Sequence, residues 1–222
     1  MLTDLLERMG FSLPQQEWQK PVIGVSACLT GQKVRYDGDH KYNAILMHQL
    51  APLLRFREIC PEVAIGLSVP RPPIQVVQDN QGFRVRGVDT PEDDYTDALE
   101  QVASGLQDPL SGFVLKARSP SCGHLSTPVF NPTGQQIGMA SGAFARKLHD
   151  LFPRIPLAND SDLEKEAFLK SFVLHVYCYH QWHHHTHQGQ WLNHMQEKTE
   201  QLEEPLYSGM QQYLEKLGRA MH

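Results

Sequence analysis

Three cysteines of this chain could hold a metal centre, because each follows a run of residues typical of a buried strand. Cys28 lies at the end of PVIGVSACL, Cys60 follows FREI, and Cys122 comes shortly after SGFVLKA. In open α/β sheets, ligands bind beyond the carboxyl ends of the strands, so these thiols could meet there despite their separation in sequence. Three thiolates can anchor a metal and leave one coordination position open, as catalytic sites require. The alternative is that each thiol is a small buried apolar group.

The elements that must position these cysteines alternate between strands and helices. An apolar, β-branched run over residues 21–29 predicts a buried strand, residues 56–63 read as a second strand, and residues 111–117 predict a third, buried one. Helical periodicity over 43–54, and a Thr-Pro start with acidic first-turn residues over 90–106, predict helices. We therefore expect an α/β fold, with a mostly parallel or mixed sheet flanked by helices and a C-terminal helical appendage.

The sequence predicts that the chain is divided into three segments. Residues 1–20 read as an N-terminal extension with a short helix, and residues 21–160 as the α/β domain. Residues 161–222 read as a polar helical appendage, whose first helix we expect to begin at Ser161 with Glu164 in the position of a capping box.

Composition narrows the class of protein. The chain has 222 residues, of which 41% are hydrophobic and 20% charged, and a formal net charge of −5. No apolar run is long enough to span a bilayer, and the first residues lack the pattern of a secretory signal, so we expect a cytoplasmic protein without a membrane partner. A reducing compartment makes a disulfide framework unexpected for four distant cysteines. The negative charge argues against a surface coated for nucleic acid.

The sequence around the three cysteines resembles the thiouracil desulfidase family, formerly a domain of unknown function. The resemblance spans roughly residues 21–180 and is carried by three motifs in order: SACLTGQKVRYDGDHK (26–41), CPEVAIGLSVPRPP (60–73) and LSGFVLKARSPSCG (110–123). It implies that Cys28, Cys60 and Cys122 hold a [4Fe–4S] cluster whose fourth iron has no protein ligand.

The family resemblance also implies a reaction and catalytic residues. The soft sulfur of 2- or 4-thiouracil binds the open iron, water replaces the sulfur without net redox change, and uracil and hydrogen sulfide are released. Glu62, two residues after Cys60, is the candidate base for the water. Ser119 or Ser121 is the candidate proton relay, and the resemblance favours Ser119. Alternatively, Glu62 caps a helix after the proline, and the serines make a local turn.

Charged residues near the motifs are candidates for binding the substrate. They are Arg35, Asp37, Arg71 and Lys116. A structural ion pair explains Arg35 and Asp37 at least as well, and a solvated strand end explains Lys116 and its neighbour Arg118.

The C-terminal segment leaves the form of the substrate open. Many relatives continue into a second helical domain thought to bind RNA, and those act on thiouridine in tRNA. Here the resemblance ends near residue 180, and the remaining residues, roughly forty, are fewer than an independent domain usually needs. Binding of tRNA is therefore one possibility beside a free thiolated pyrimidine.

A histidine-rich stretch, HQWHHHTHQGQW (180–191), follows the end of the resemblance. Trp182 and Trp191 could stack on bases, and two pairs of histidines have the i, i+4 spacing of a helical metal pair. The pairs are His180 with His184 and His183 with His187. The alternative, which we favour, is a polar helix face, and we expect Cys178 to be packed against the main domain.

Two other functions remain open from the sequence. The same three cysteines could hold Zn²⁺ in a hydrolase, and the chain could be a non-catalytic RNA-binding module.

Overall fold

A computed structural model of the chain describes residues 1–106 and 109–219. Within them the strands are β1 (Val22–Ser26), β2 (Arg55–Ile59), β3 (Ile74–Asp79), β4 (Gly82–Gly87), β5 (Phe113–Leu115), β6 (Thr127–Phe130), β7 (Gln136–Ala140) and β8 (Leu157–Asn159). The α-helices are α1 (Leu2–Arg8), α2 (Pro61–Ala64), α3 (Thr96–Ser104), α4 (Ala143–Leu151), α5 (Glu166–His184), α6 (Gln188–Thr199) and α7 (Leu206–Gly218).

The first sheet is parallel and carries the predicted strands. Its order is β2-β1-β5-β8, and each neighbouring pair is parallel. Gly24 in β1 allows close packing, because a Cβ there would lie 2.1 Å from the ring of Phe113 in β5. The strands that precede the three cysteines are thus adjacent, and their carboxyl ends lie along one edge. With helices around the sheets and at the C-terminus, the predicted α/β class is confirmed.

A second, mixed sheet was not predicted from the sequence. Its order is β4-β3-β6-β7, with antiparallel pairs at both ends and a parallel pair in the middle. The turn signals were present: Asp79 accepts a hydrogen bond from the backbone N–H of Gln81, and Gly82 has a φ of 94°. A similar turn at residues 131–134 ends with Gly134 at a φ of 84°. These polar turns join the strands of two hairpins. The periodicity of the sequence did not assign these strands.

Several predicted boundaries were wrong for local reasons. The strand predicted over 56–63 ends at Ile59, because Pro61 begins α2. The helix predicted from residue 90 begins at Thr96, whose hydroxyl accepts a hydrogen bond from Val85 of β4 and so ties the preceding segment to the sheet. The capping box predicted at Ser161 is replaced by a 3₁₀ turn, and α5 begins at Glu166.

One hydrophobic cluster joins all three predicted segments. It contains Leu5 of α1, Ile23 and Phe113 of the first sheet, and Leu174 and Leu217 of α5 and α7. A smaller cluster lies between the second sheet and helices α3 and α4. The division at residues 20 and 160 therefore stays a prediction. Among the described residues, no helix is long and apolar enough to cross a membrane.

Candidate metal centre

A cavity of about 510 Å³ opens where β1, β2 and β5 end. All three predicted cysteine ligands line this cavity. So do Glu62 and Ser119, two of the three predicted catalytic residues. Parallel strand order accounts for the convergence, because it brings residues that are distant in sequence to the same edge of the sheet.

Each cysteine is held by the turn that follows its strand. Cys28 lies in a 3₁₀ turn directly after β1, and its carbonyl accepts a hydrogen bond of 2.8 Å from the backbone N–H of Lys41. Cys60 precedes the first residue of α2, and its thiol donates to the carbonyl of Val34 at 3.8 Å. Cys28 and Cys122 are buried, and Cys60 is half-buried.

The loop that carries Cys122 is fixed from two sides. The hydroxyl oxygen of Ser119 accepts hydrogen bonds from the backbone N–H groups of Cys122 and Ser121, at 3.1 and 3.3 Å. On the other side the N-terminus of α4 packs so closely that a Cβ on Gly142 would lie 2.5 Å from the carbonyl oxygen of Pro120. The glycine therefore permits this contact.

The surroundings disfavour free thiolates. Burial raises the pKa of Cys28 to about 11, with a further contribution from Cys60. Burial also raises the pKa of Cys60, and it raises the pKa of Cys122 well above the usual range of a thiol. The three thiols are therefore neutral near pH 7 unless bound cations stabilise their ionised form, as metal coordination does.

The three thiols are soft donors of the type that holds iron–sulfur clusters, and all three lie on one cavity. Among residues 1–106 and 109–219, no group of three or more His, Cys, Asp or Glu side chains is arranged so that it could hold a single metal ion.

Glu62 has both carboxylate oxygens engaged. Its Oε2 accepts a hydrogen bond of 2.8 Å from Nε of Arg71 and lies 2.7 Å from Nη2 of the same guanidinium. Its Oε1 accepts one from the hydroxyl of Ser121 at 2.8 Å. The side chains of Glu62 and Arg71 are only 12% and 5% exposed, so this ion pair is largely shielded from water. Glu62 also lies in the first turn of α2, so the structural alternative and the catalytic one coexist.

The two candidate serines occupy different places. Ser119 lines the cavity, and because its oxygen accepts two backbone hydrogen bonds, its hydroxyl hydrogen is left for another acceptor. Ser121 is fully buried beside the cavity and donates to Glu62. This difference could not be read from the sequence SPS.

The predicted substrate-binding residues are mostly paired with each other or with carboxylates. Arg35, Arg71 and Lys116 line the cavity, whereas Asp37 does not. Arg35 holds Asp37 through bonds of 2.8 and 3.1 Å, and these lower the pKa of Asp37 to about 2. Lys116 pairs with Asp160 at 2.9 Å.

Sequence reasoning missed Asp160 as part of the site. Its carboxylate binds Lys116 and also accepts a hydrogen bond of 2.7 Å from the backbone N–H of Ala117. Its position could have indicated this role, because Asp160 directly follows β8, the fourth parallel strand, at the edge where the other strands deliver the site residues.

The histidine-rich segment lies away from this cavity. Trp182 and Trp191 are buried, which argues against base stacking, the possibility that we did not favour from the sequence. His183 and His187 do not share a helix, because α5 ends at His184. His180 and His184 do share α5. Both line a different cavity, which is also lined by Pro21, the residue that precedes β1. Cys178, as expected, is packed in the main hydrophobic cluster.

Comparison with known proteins identifies the family. The profile of the 2-thiouracil desulfurase family matches residues 23–160, the part of the chain that contains Cys28, Cys60, Cys122 and Glu62. The chain belongs to this family. The resemblance seen in the sequence is thus confirmed, and the protein is a desulfurase, an enzyme.

Two similar proteins extend this result. The solved structure of the [4Fe–4S]-dependent thiouracil desulfidase TudS is 30% identical to this desulfurase, with a TM-score of 0.51 and coverage of 69% of this chain and 99% of TudS. The uncharacterized protein YbbK of Bacillus subtilis (strain 168) is 29% identical over an alignment of 150 residues, and the match covers 63% of this chain and 97% of YbbK. In both comparisons this desulfurase is the longer protein.

Proposed function

We propose that this desulfurase hydrolyses the carbon–sulfur double bond of a thiolated uracil, releasing uracil and hydrogen sulfide without net oxidation or reduction. One observation carries the proposal: Cys28, Cys60 and Cys122 lie on a single cavity with the held carboxylate of Glu62. Membership of the 2-thiouracil desulfurase family and the likeness to TudS support the class of substrate.

The three cysteines would hold a [4Fe–4S] cluster, as the dependence of TudS on such a cluster suggests. The buried thiols fit this role, because bound cations would stabilise the ionised form that burial disfavours. When bound, the cluster supplies an iron without a protein ligand, a Lewis acid suited to the soft sulfur of a thiocarbonyl.

Side chains of the cavity move the protons. Water attacks the ring carbon that carries the sulfur, so that a carbon–oxygen bond forms and the carbon–sulfur bond breaks. Glu62 takes the proton of the attacking water. Ser119 lines the cavity and relays a proton to the departing sulfur or the ring nitrogen, while Ser121 holds the carboxylate in place. Water thus supplies the oxygen of uracil and both protons of hydrogen sulfide.

Two cations in the cavity bind the substrate in this proposal. Arg35 and Lys116 line the cavity and present N–H donors, which suit the remaining carbonyl oxygen of a thiouracil ring. Asp37, which lies outside the lining, orients Arg35, and Asp160 orients Lys116.

We infer that a free base or nucleoside is the substrate, in preference to tRNA. The residues that line the cavity all lie within the proposed catalytic part, residues 21–160. No residue of α5, α6 or α7 is among those found on it, and the tryptophans that suggested base stacking are buried. Reduced thiols as ligands agree with action in the cytoplasm.

An anaerobic assay of the cluster-loaded enzyme tests this function. The enzyme is offered 2-thiouracil, 4-thiouracil, thiouridine and thiolated tRNA, and both uracil (or uridine) and sulfide are quantified. We expect equal amounts of the two products from at least one small thiopyrimidine. Activity on tRNA alone would overturn the choice of a small substrate, and absence of sulfide release from all four would overturn the function.

A further inference from the structure

We propose that Arg71 is a positioning residue that fixes the carboxylate of Glu62, and that Oε1 of Glu62 is the atom that accepts the proton of water. This inference deepens the proposed function and rests on it. It replaces the expectation from the sequence that Arg71 binds the substrate.

Arg71 is itself held firmly. Its Nη1 donates to the carbonyl of Ser68 at 3.1 Å, and its backbone N–H donates to the carbonyl of Tyr36 at 2.9 Å. Its Nε donates to Oε2 of Glu62 at 2.8 Å, and its Nη2 lies 2.7 Å from the same oxygen. A guanidinium that is anchored at both its backbone and its Nη1 can impose a position on the carboxylate it binds.

The pattern of hydrogen bonds distinguishes the two oxygens of Glu62. A carboxylate offers about four lone-pair sites, two on each oxygen. Two guanidinium nitrogens of Arg71 lie within 2.8 Å of Oε2, one of them as a hydrogen-bond donor, whereas the partner found for Oε1 is the hydroxyl of Ser121. Oε2 is thus held by the cation, and we assign the uptake of the proton to the other oxygen, Oε1.

Burial makes this pairing costly to disturb. Both side chains are almost completely shielded, so removing one charge leaves the other uncompensated in surroundings of low polarity. A base whose position depends on such a contact loses rate when the contact is lost, because small misplacements of reacting groups reduce catalysis strongly.

The decisive experiment is a double-mutant cycle with Arg71→Gln, Glu62→Gln and the double variant. We expect Arg71→Gln to lower kcat about 100-fold with KM little changed, the size expected for a misplaced catalytic group. In the Glu62→Gln background the same change should have little further effect, since Arg71 acts through Glu62. Arg71→Lys should retain an intermediate rate, because an ammonium keeps the charge but not the planar donors.

Other outcomes contradict the proposal. A raised KM with unchanged kcat in Arg71→Gln would make Arg71 a substrate ligand. The same conclusion would follow if the double variant lost rate by the full effects of both single variants combined. A matched control is Arg84→Gln, which breaks the ion pair of 2.8 Å with Asp94 beside the second sheet. This control should lose some stability and keep its kcat. Iron content is measured for every variant, so that loss of the cluster is not mistaken for loss of positioning.

Measurements of stability distinguish a failure of this inference from a failure of the proposed function. Urea unfolding should show that the double variant Arg71→Gln/Glu62→Gln is more stable than either single variant, because it leaves no unpaired buried charge. If the wild type releases no sulfide, the function fails although this coupling is present. If the stability effects of the two single variants simply add, the inference about Arg71 fails whatever the activity.

Discussion

At the scale of single residues, the SPS sequence before Cys122 separates two tasks between two similar side chains. Ser119 faces the cavity, and its oxygen also organises the backbone of the Cys122 loop. Ser121 is buried, and its hydroxyl donates to the carboxylate of Glu62. The two serines are therefore expected to affect catalysis to different extents.

We predict that Ser119→Ala lowers kcat about 100-fold or more, as expected for the loss of a proton relay. Ser121→Ala should lower kcat less, about tenfold, because Arg71 still holds the other oxygen of Glu62. Steady-state kinetics, normalised to the iron content of each variant, measure both effects. A larger loss in Ser121→Ala than in Ser119→Ala would reverse the two roles.

At the scale of elements, helices α5 and α7 enclose an ionisable group away from the active site. His175 of α5 stacks on Tyr213 of α7, with ring centroids 4.1 Å apart. Burial, with a small contribution from the charge of Lys216, lowers the pKa of His175 to about 4, although a hydrogen bond with the backbone of Gly209 opposes the shift. The packing of these helices therefore requires the neutral imidazole.

This packing predicts a loss of stability in acid. The unfolded chain takes up a proton at His175 near pH 6.5, whereas the folded chain resists it until about pH 4. Stability is therefore full above pH 6.5 and falls as the pH decreases towards 4, by roughly 2 kcal/mol between pH 7 and pH 5. Urea unfolding at both pH values measures this change. His175→Gln should remove that part of the dependence, and an unchanged pH dependence in the variant would contradict it.

At the scale of the whole molecule, the sequence predicted the part of the fold that builds the site. Cys28 and Cys60 follow predicted strands, and parallel strand order brings them to one edge of the sheet. The second sheet was missed because its strands are partly exposed and carry polar residues. The pairing of Arg71 with Glu62 was missed because an ion pair depends on how two loops pack, and the residue types allow many partners.

Packing also overturned local patterns in the C-terminal segment. Trp182 and Trp191 were judged from their polar neighbours in sequence, but α5, α6 and α7 pack together and bury both. The same packing joins α1, the first sheet and the C-terminal helices in one hydrophobic cluster. In this desulfurase the C-terminal segment thus contributes to the stability of the catalytic part.

The proposed function depends above all on three distant thiols holding one cluster. Iron and acid-labile sulfide per chain, measured after anaerobic purification, test this most directly in the variants Cys28→Ala, Cys60→Ala, Cys122→Ala and Cys178→Ala. We predict that each of the first three loses most of both, whereas Cys178→Ala, altered inside the hydrophobic cluster, keeps them. Equal iron and sulfide in all four variants would contradict the assignment.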